Sequence, residues 1–153
     1  MIQTLNAWGR STGLILGQRV IDKGSNEITA LPDFLKELQL KGCLVTLDAM
    51  GCQKKIVEEI VEQEADYIIT LKKNQKGLYE ELMAEMERQK ETLEVAISRD
   101  KGHGRAELRK VYVSENLTFM EQTENWRDLN SVILVERSHW EQGKKHIPIL
   151  CIF

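Results

Sequence analysis

The chain opens with two stretches of strand character, Ile2 to Trp8 and Gly13 to Ile21, on either side of Gly9-Arg10-Ser11-Thr12-Gly13, and this spacing predicts a hairpin. A helix is predicted from about Leu31 to Leu40. Pro32 suits its first turn, where a missing N–H is tolerated, and Gly42 is a plausible stop. Cys43-Leu44-Val45-Thr46-Leu47 is mostly apolar without alternation, so it reads as a strand covered on both faces, ending on Asp48. A second helix, Cys52 to Glu64, sets Ile56, Val57, Ile60 and Val61 on one stripe and Glu58, Glu59 and Glu62 opposite. Tyr67 to Leu71 is a further buried strand, and a third helix, Gln75 to Lys90, turns Leu78, Leu82 and Met86 inward.

Strand, helix, strand, helix is the signature of a parallel sheet with crossovers. After Leu93 the character changes. Leu93 to Ile97, Ala106 to Val113, Val132 to His139 and His146 to Phe153 read as strands joined by polar turns, with a loop or short helix around Trp126. The predicted class is therefore mixed α/β: one domain, with an α/β core over 1–92 and a β-rich antiparallel extension over 93–153.

Composition narrows the setting. At 153 residues, 42% hydrophobic and 29% charged, the chain is an ordinary globular domain large enough for a core. It has no apolar stretch of membrane-spanning length and no secretory-type start, so a cytoplasmic protein without a membrane partner is expected. Cys43, Cys52 and Cys151 match no metal-ligand spacing and fit reduced thiols. A net charge of −3 argues against a free-standing nucleic-acid binder. The charges are unevenly spread, however. Glu58 to Asp66 and Glu80 to Glu94 are acidic, whereas Lys72, Lys73 and Lys76 form one basic knot and Arg99, Lys101, Arg105, Arg109 and Lys110 another.

Open α/β sheets bind ligands beyond the carboxyl ends of their strands. Asp48 and Lys72 stand at two successive such ends. Asp48 can be a turn or N-cap residue, a ligand for a hard divalent cation, or a phosphoacceptor with a lysine nearby; the N-terminal hairpin breaks the βα alternation that the last would need. His139 and His146 flank Glu141-Gln142-Gly143-Lys144 and read as hairpin residues. His103 lies in Lys101-Gly102-His103-Gly104-Arg105, a glycine-bracketed loop beside basic residues that could touch phosphate.

Four blocks, in order, carry a resemblance: Lys23 to Pro32 (Lys-Gly-Ser-Asn-Glu-Ile-Thr-Ala-Leu-Pro), Thr46 to Gln53 (Thr-Leu-Asp-Ala-Met-Gly-Cys-Gln), Ala65-Asp66-Tyr67 through Leu71-Lys72-Lys73-Asn74-Gln75, and His103 to Arg109. Together, over residues from about 5 to 140, they resemble the H-repeat-associated group of bacterial insertion-sequence transposases of the DDE type. The resemblance implies a ribonuclease-H-like core that cuts and joins transposon DNA, with three carboxylates holding two divalent metals, Mg²⁺ or Mn²⁺. On its motifs Asp48 corresponds to the second catalytic aspartate, and Lys72, Lys73, Asn74, Gln75, His103, Arg105, Arg109 and Lys110 fall in DNA-contacting segments.

The chain departs from the pattern at both ends. The family's first aspartate strand would precede Met1, its last glutamate would follow Phe153, and neither Glu136 nor Glu141 matches that glutamate's motif. The expected protein is a transposase truncated at both ends, lacking the first core strand, binding metal weakly or not at all and inactive alone. The alternative is a regulatory module that grips DNA or a full-length transposase. The absent strand predicts open edges beside Ile2–Trp8 and Cys43–Leu47, and hence a homo-oligomer. Pro148 argues against the apolar tail serving as a central strand.

Overall fold

The computed structural model describes residues 3–102, 105–118, 120–139 and 148–153; the side chains at 101, 102, 105, 106 and 139 lie outside that description. Two strands, β1 (Thr4–Gly9) and β2 (Leu14–Val20), pair antiparallel around the predicted turn, closed by Gly13 N–H donating to the Gly9 carbonyl at 2.8 Å. Gly13 takes φ +67°, a conformation that a side chain disfavours. The hairpin forms a two-stranded sheet of its own, with Trp8 and Leu14 more than 60% exposed.

Helix α1 spans Glu27–Lys36, four residues earlier than the Leu31 start expected from Pro32. The physical reason is Asn26, whose side chain caps the helix by accepting from the Thr29 N–H at 2.9 Å. Pro32 consequently lies inside the helix, where it can donate no bond to the Ile28 carbonyl four residues back. Strand β3 (Leu44–Leu47), helix α2 (Lys54–Glu62), strand β4 (Asp66–Leu71) and helix α3 (Lys76–Gln89) follow in the anticipated order. β5 (Val95–Gly102), β6 (Arg105–Ser114), β7 (Val132–His139) and β8 (Ile149–Ile152) complete the chain, with a short 3₁₀ turn at Glu121–Asn125 before the buried Trp126.

The fold is mixed α/β, built on one mixed sheet in the order β3-β4-β8-β7-β6-β5; β3 and β4 are parallel, and every other neighbouring pair is antiparallel. β8 joins the two halves of the chain. Registered side chains make two apolar rows across the sheet. Ile69, Ile152 and Val132 form one and Leu71, Leu150 and Leu134 the other; all are at most 1% exposed. Ile56, Val57 and Ile60 of α2 and Leu78, Leu82 and Met86 of α3 belong to the same buried cluster, so these helices cover this face. On the opposite face Ile68, Cys151, Ile133 and Val135 are only half-buried.

Two expectations fail here. β3 is not covered on both faces: it is the sheet edge, with Leu44 53% exposed, because α2 shields only the side that carries Val45 and Leu47. The tail, conversely, is a central strand. Pro148 precedes the first paired residue, Ile149, and so withdraws no N–H from the ladder. β8 lies between β4 and β7, away from the outer edge of β3, and among the described residues no strand pairs with that edge or with the free edge of β1. Leu150→Ala should cost about 2–5 kcal/mol in a urea titration, the range for a buried leucine, whereas Leu14→Ala should stay within about 0.5 kcal/mol.

Candidate functional site

The chain turns sharply as it leaves β3. Asp48 is the N-cap of a 3₁₀ turn, Ala49–Gly51, and its Oδ1 accepts from the Met50 N–H at 3.0 Å. Ala49, Gly51 and Cys52 are buried, while Asp48 and Met50 face solvent. Gly51 is pressed onto β3: a Cβ there would sit 2.9 Å from the Leu47 Cβ, so a side chain would push the turn off the strand. Of the open readings of Asp48, capping is thus realised by one oxygen, and for a three-residue turn rather than for α2, whose N-cap is Gln53. Within the described residues the other oxygen takes no hydrogen bond, which leaves it available to a ligand.

Asp48 lines a cleft of about 250 Å³. Leu5 and Asn6 of β1 form one wall, Thr46 and Leu47 of β3 the other, and Glu27 and Phe34 of α1 also line it. Its walls are thus β1 and β3, each of which has an edge that no strand pairs with among the described residues. Among the described residues no group of three or more His, Cys, Asp or Glu side chains converges. Two divalent cations about 3.5–4 Å apart need several anionic oxygens to offset their repulsion. The described donors do not by themselves make up such a set.

The adjacent strand ends in a second short turn, Lys73–Gln75, after β4. Lys72 and Lys73 are exposed. The Asn74 amide donates to the Ala49 carbonyl at 2.7 Å and that of Gln75 to the Cys52 carbonyl at 2.9 Å, so both engage the turn behind Asp48.

The second basic cluster lies on strands rather than in a loop, since β5 continues to Gly102 and β6 resumes at Arg105. Register sets its position. Leu71, Leu150, Leu134 and Tyr112 share one row; Lys72 and Lys73 lie just beyond it on β4, Arg137 on β7, and Arg109 and Lys110 on β6. These cations therefore stand at the same end of the sheet as Asp48, with β4 and β6 separated by about three strand spacings, or ~14 Å. Arg109 and Lys110 point to opposite faces because successive strand residues alternate. Arg109 and Arg137 both pair with Glu107, and Glu136 is bound by Lys90. His103 and Glu141 lie outside the described residues, as do the side chain of Arg105 and all of His146.

Of the thiols, Cys52 sits directly behind the Asp48 turn, and burial pushes it from 9.0 up to about 12; burial also raises Cys151. Cys43 is exposed. The clamp formed by Asn74 and Gln75 was not evident from the sequence. The only available hint was two amide side chains directly after a strand whose parallel neighbour ends in a turn.

Comparison with known proteins gives a consistent result. A family model described as a transposase DDE domain matches residues 2–141. An "Uncharacterized protein in dhlA 3'region" of Xanthobacter autotrophicus is 36% identical over 88% of this chain and 46% of that protein. The "H repeat-associated putative transposase YbfD" of Escherichia coli K12 is 40% identical over 71% of the chain and 44% of that protein; for YhhI, of the same description and organism, the figures are 40%, 71% and 29%. The chain thus spans less than half the length of each of these relatives. No solved structure matches it.

The thiols give a direct check on the packing behind Asp48. At pH 8 a disulfide reagent should modify Cys43 at once and Cys52 only on unfolding; fast labelling that survives Cys43→Ser and maps to Cys52 would contradict the buried turn. The sign with pH follows. Below pH 9 the Cys52 thiol is neutral in both states. Above it the unfolded chain ionises while the buried thiol does not, so its contribution to stability falls as pH rises from 9.0 towards about 12. Urea midpoints should decline over that range, less so in Cys52→Ala.

Proposed function

The chain belongs to the transposase DDE-domain family, and from that premise we propose that it presents one metal-binding carboxylate, Asp48, beside a basic sheet end that contacts DNA, without cutting DNA alone. The observation that supports this most is the shared edge: a solvent-facing Asp48 with an unbonded oxygen stands at the end of the sheet that also carries Lys72, Lys73, Arg109, Lys110 and Arg137. The family generally works with divalent metals. Asp48 would supply one anionic oxygen to Mg²⁺ or Mn²⁺, and the lysines would neutralise DNA phosphates nearby. His103 and Arg105 belong to the same proposed DNA surface by sequence.

The finer fold reading is a ribonuclease-H-like core lacking its first strand. It is supported by the parallel β3–β4 pair with α2 between them in sequence, and by the cleft walled by β1 and β3, each with an edge that no strand pairs with among the described residues. Because one carboxylate cannot assemble a two-metal centre, cutting and joining require carboxylates beyond those described here, as members of a catalytic set act together. The open edges favour a second reading, a module that associates with itself or with a full-length transposase. Transposon DNA is the substrate that the family membership suggests.

DNA binding is tested by fluorescence anisotropy across a salt series. Binding should weaken steeply with salt, and replacing Lys72 and Lys73 by Ala should lower the log–log slope by roughly 1.8, about 0.9 per lost phosphate contact. Salt-independent binding would count against phosphate contacts. No nicking should appear with Mg²⁺ or Mn²⁺, and nicking abolished by Asp48→Ala would overturn the inactive reading. Light scattering should show a dimer or larger assembly at high concentration; a persistent 17.6 kDa monomer would remove the self-association reading.

A further inference from the structure

We propose that Asn74 and Gln75 are positioning residues for Asp48: their side-chain amides staple the turn that carries the carboxylate to the end of the neighbouring strand. The inference rests on Asp48 being the site residue, but its geometry stands by itself. The turn at Ala49–Gly51 is held by itself only through local backbone bonds, Cys52 N–H to the Ala49 carbonyl at 3.2 Å and Gln53 N–H to the Gly51 carbonyl at 2.8 Å, while Ala49, Gly51 and Cys52 are buried. Asn74 Nδ2 reaches the Ala49 carbonyl at 2.7 Å, at the start of the turn, and Gln75 Nε2 reaches the Cys52 carbonyl at 2.9 Å, just past its end. Met50 lies between these two anchored carbonyls, and its N–H is the donor that holds Asp48 Oδ1 at 3.0 Å.

The chain of contacts therefore runs from β4 through two amides into the turn, and from the turn through Met50 N–H to the carboxylate. Because β3 and β4 are registered from Leu44↔Asp66 to Leu47↔Ile69, the anchor is the turn that directly follows an interior strand. The alternative role for these amides is direct contact with DNA. Their N–H donors already bind the carbonyls of buried residues, and a phosphate could take them only by breaking those bonds, which would leave the Ala49 carbonyl with the Cys52 N–H alone and strip the Gln75 amide from the Cys52 carbonyl. Lys72 and Lys73, exposed on the same turn, have no such commitment. One short segment would thus divide its labour, with its lysines facing outward and its amides holding the site.

The test uses the ¹⁵N-labelled full chain, with Asn74→Ala, Asn74→Asp, Gln75→Ala and Gln75→Glu beside Lys76→Ala as a control. The Asp and Glu variants keep size and remove the donor. Hydrogen exchange at Met50, Gly51 and Cys52 should quicken about tenfold, the scale of one lost hydrogen bond. Exchange at Ile69 and Leu134, in the sheet interior, should stay within about twofold. Asp48→Asn should displace the Met50 amide resonance in the otherwise native chain; in the four variants that displacement should shrink at least about twofold, which a generally supportive residue would not produce. Unchanged exchange and an unchanged Met50 response would overturn the proposal, and so would acceleration spread evenly to Ile69 and Leu134. DNA affinity separates the two readings. Asn74→Ala should leave the salt slope unaltered, so a loss like that of Lys72→Ala with the turn still protected would make the amides DNA contacts. Absence of DNA binding would defeat the proposed function and leave the exchange result to decide this one.

Discussion

The rest of the structure depends on the burial of β4 against α2 and α3. Tyr67, Ile69 and Leu71 occupy alternate positions of one strand and are almost wholly removed from water on the helix-covered face. Burying side chains of this size contributes about 1.5–3 kcal/mol each, and the ladder formed with them determines where the neighbouring strands can lie. On one side β4 aligns β3 in parallel, which brings Asp48 to the same edge as Lys72. On the other it aligns β8, which continues the apolar rows into β7 and makes one core of two stretches of chain with different patterns. Tyr67 adds a polar tie, its buried hydroxyl donating to the Arg127 carbonyl at 3.0 Å.

The candidate site follows from strand polarity rather than from any compact motif. Parallel neighbours end on the same side, so the turns that follow them meet. The turn after β3 exposes a carboxylate, and the turn after β4 supplies lysines and amides. The antiparallel strands then contribute Arg109 and Arg137, register partners on one face, and Lys110 on the other face to that same end. Glu107, bound by two arginines, tempers the positive field there, which suits a chain whose overall charge is negative.

Among the described residues, β1 and β3 each leave a strand edge unpaired beside an open cleft. Exposed edges invite pairing with other chains, and here they adjoin exposed aliphatic side chains on the hairpin and on β3. The cleft also lies beside Asp48, so whatever occupies it would bear directly on the carboxylate's surroundings.

Local chemistry made much of this legible from the amino-acid order alone. The turn at Gly9–Gly13, the apolar stripe of α2, the spacing in α3 and the bounds of β7 came from periods and turn residues that act over a few positions. The four ordered blocks likewise identified the family. α1 starts ahead of the position that Pro32 suggests, because the Asn26 side chain caps it through the Thr29 N–H. What only the tertiary structure decided involves partners distant in sequence. β3 became an edge and β8 an interior strand, since a short apolar run looks the same in either place until its neighbours are known. Arg109 was set level with Arg137, beyond the row of Leu71, by the register of β6, β7 and β8. Asn74 and Gln75 were committed to carbonyls more than twenty residues away, a pairing that exists only because two parallel strands finish side by side.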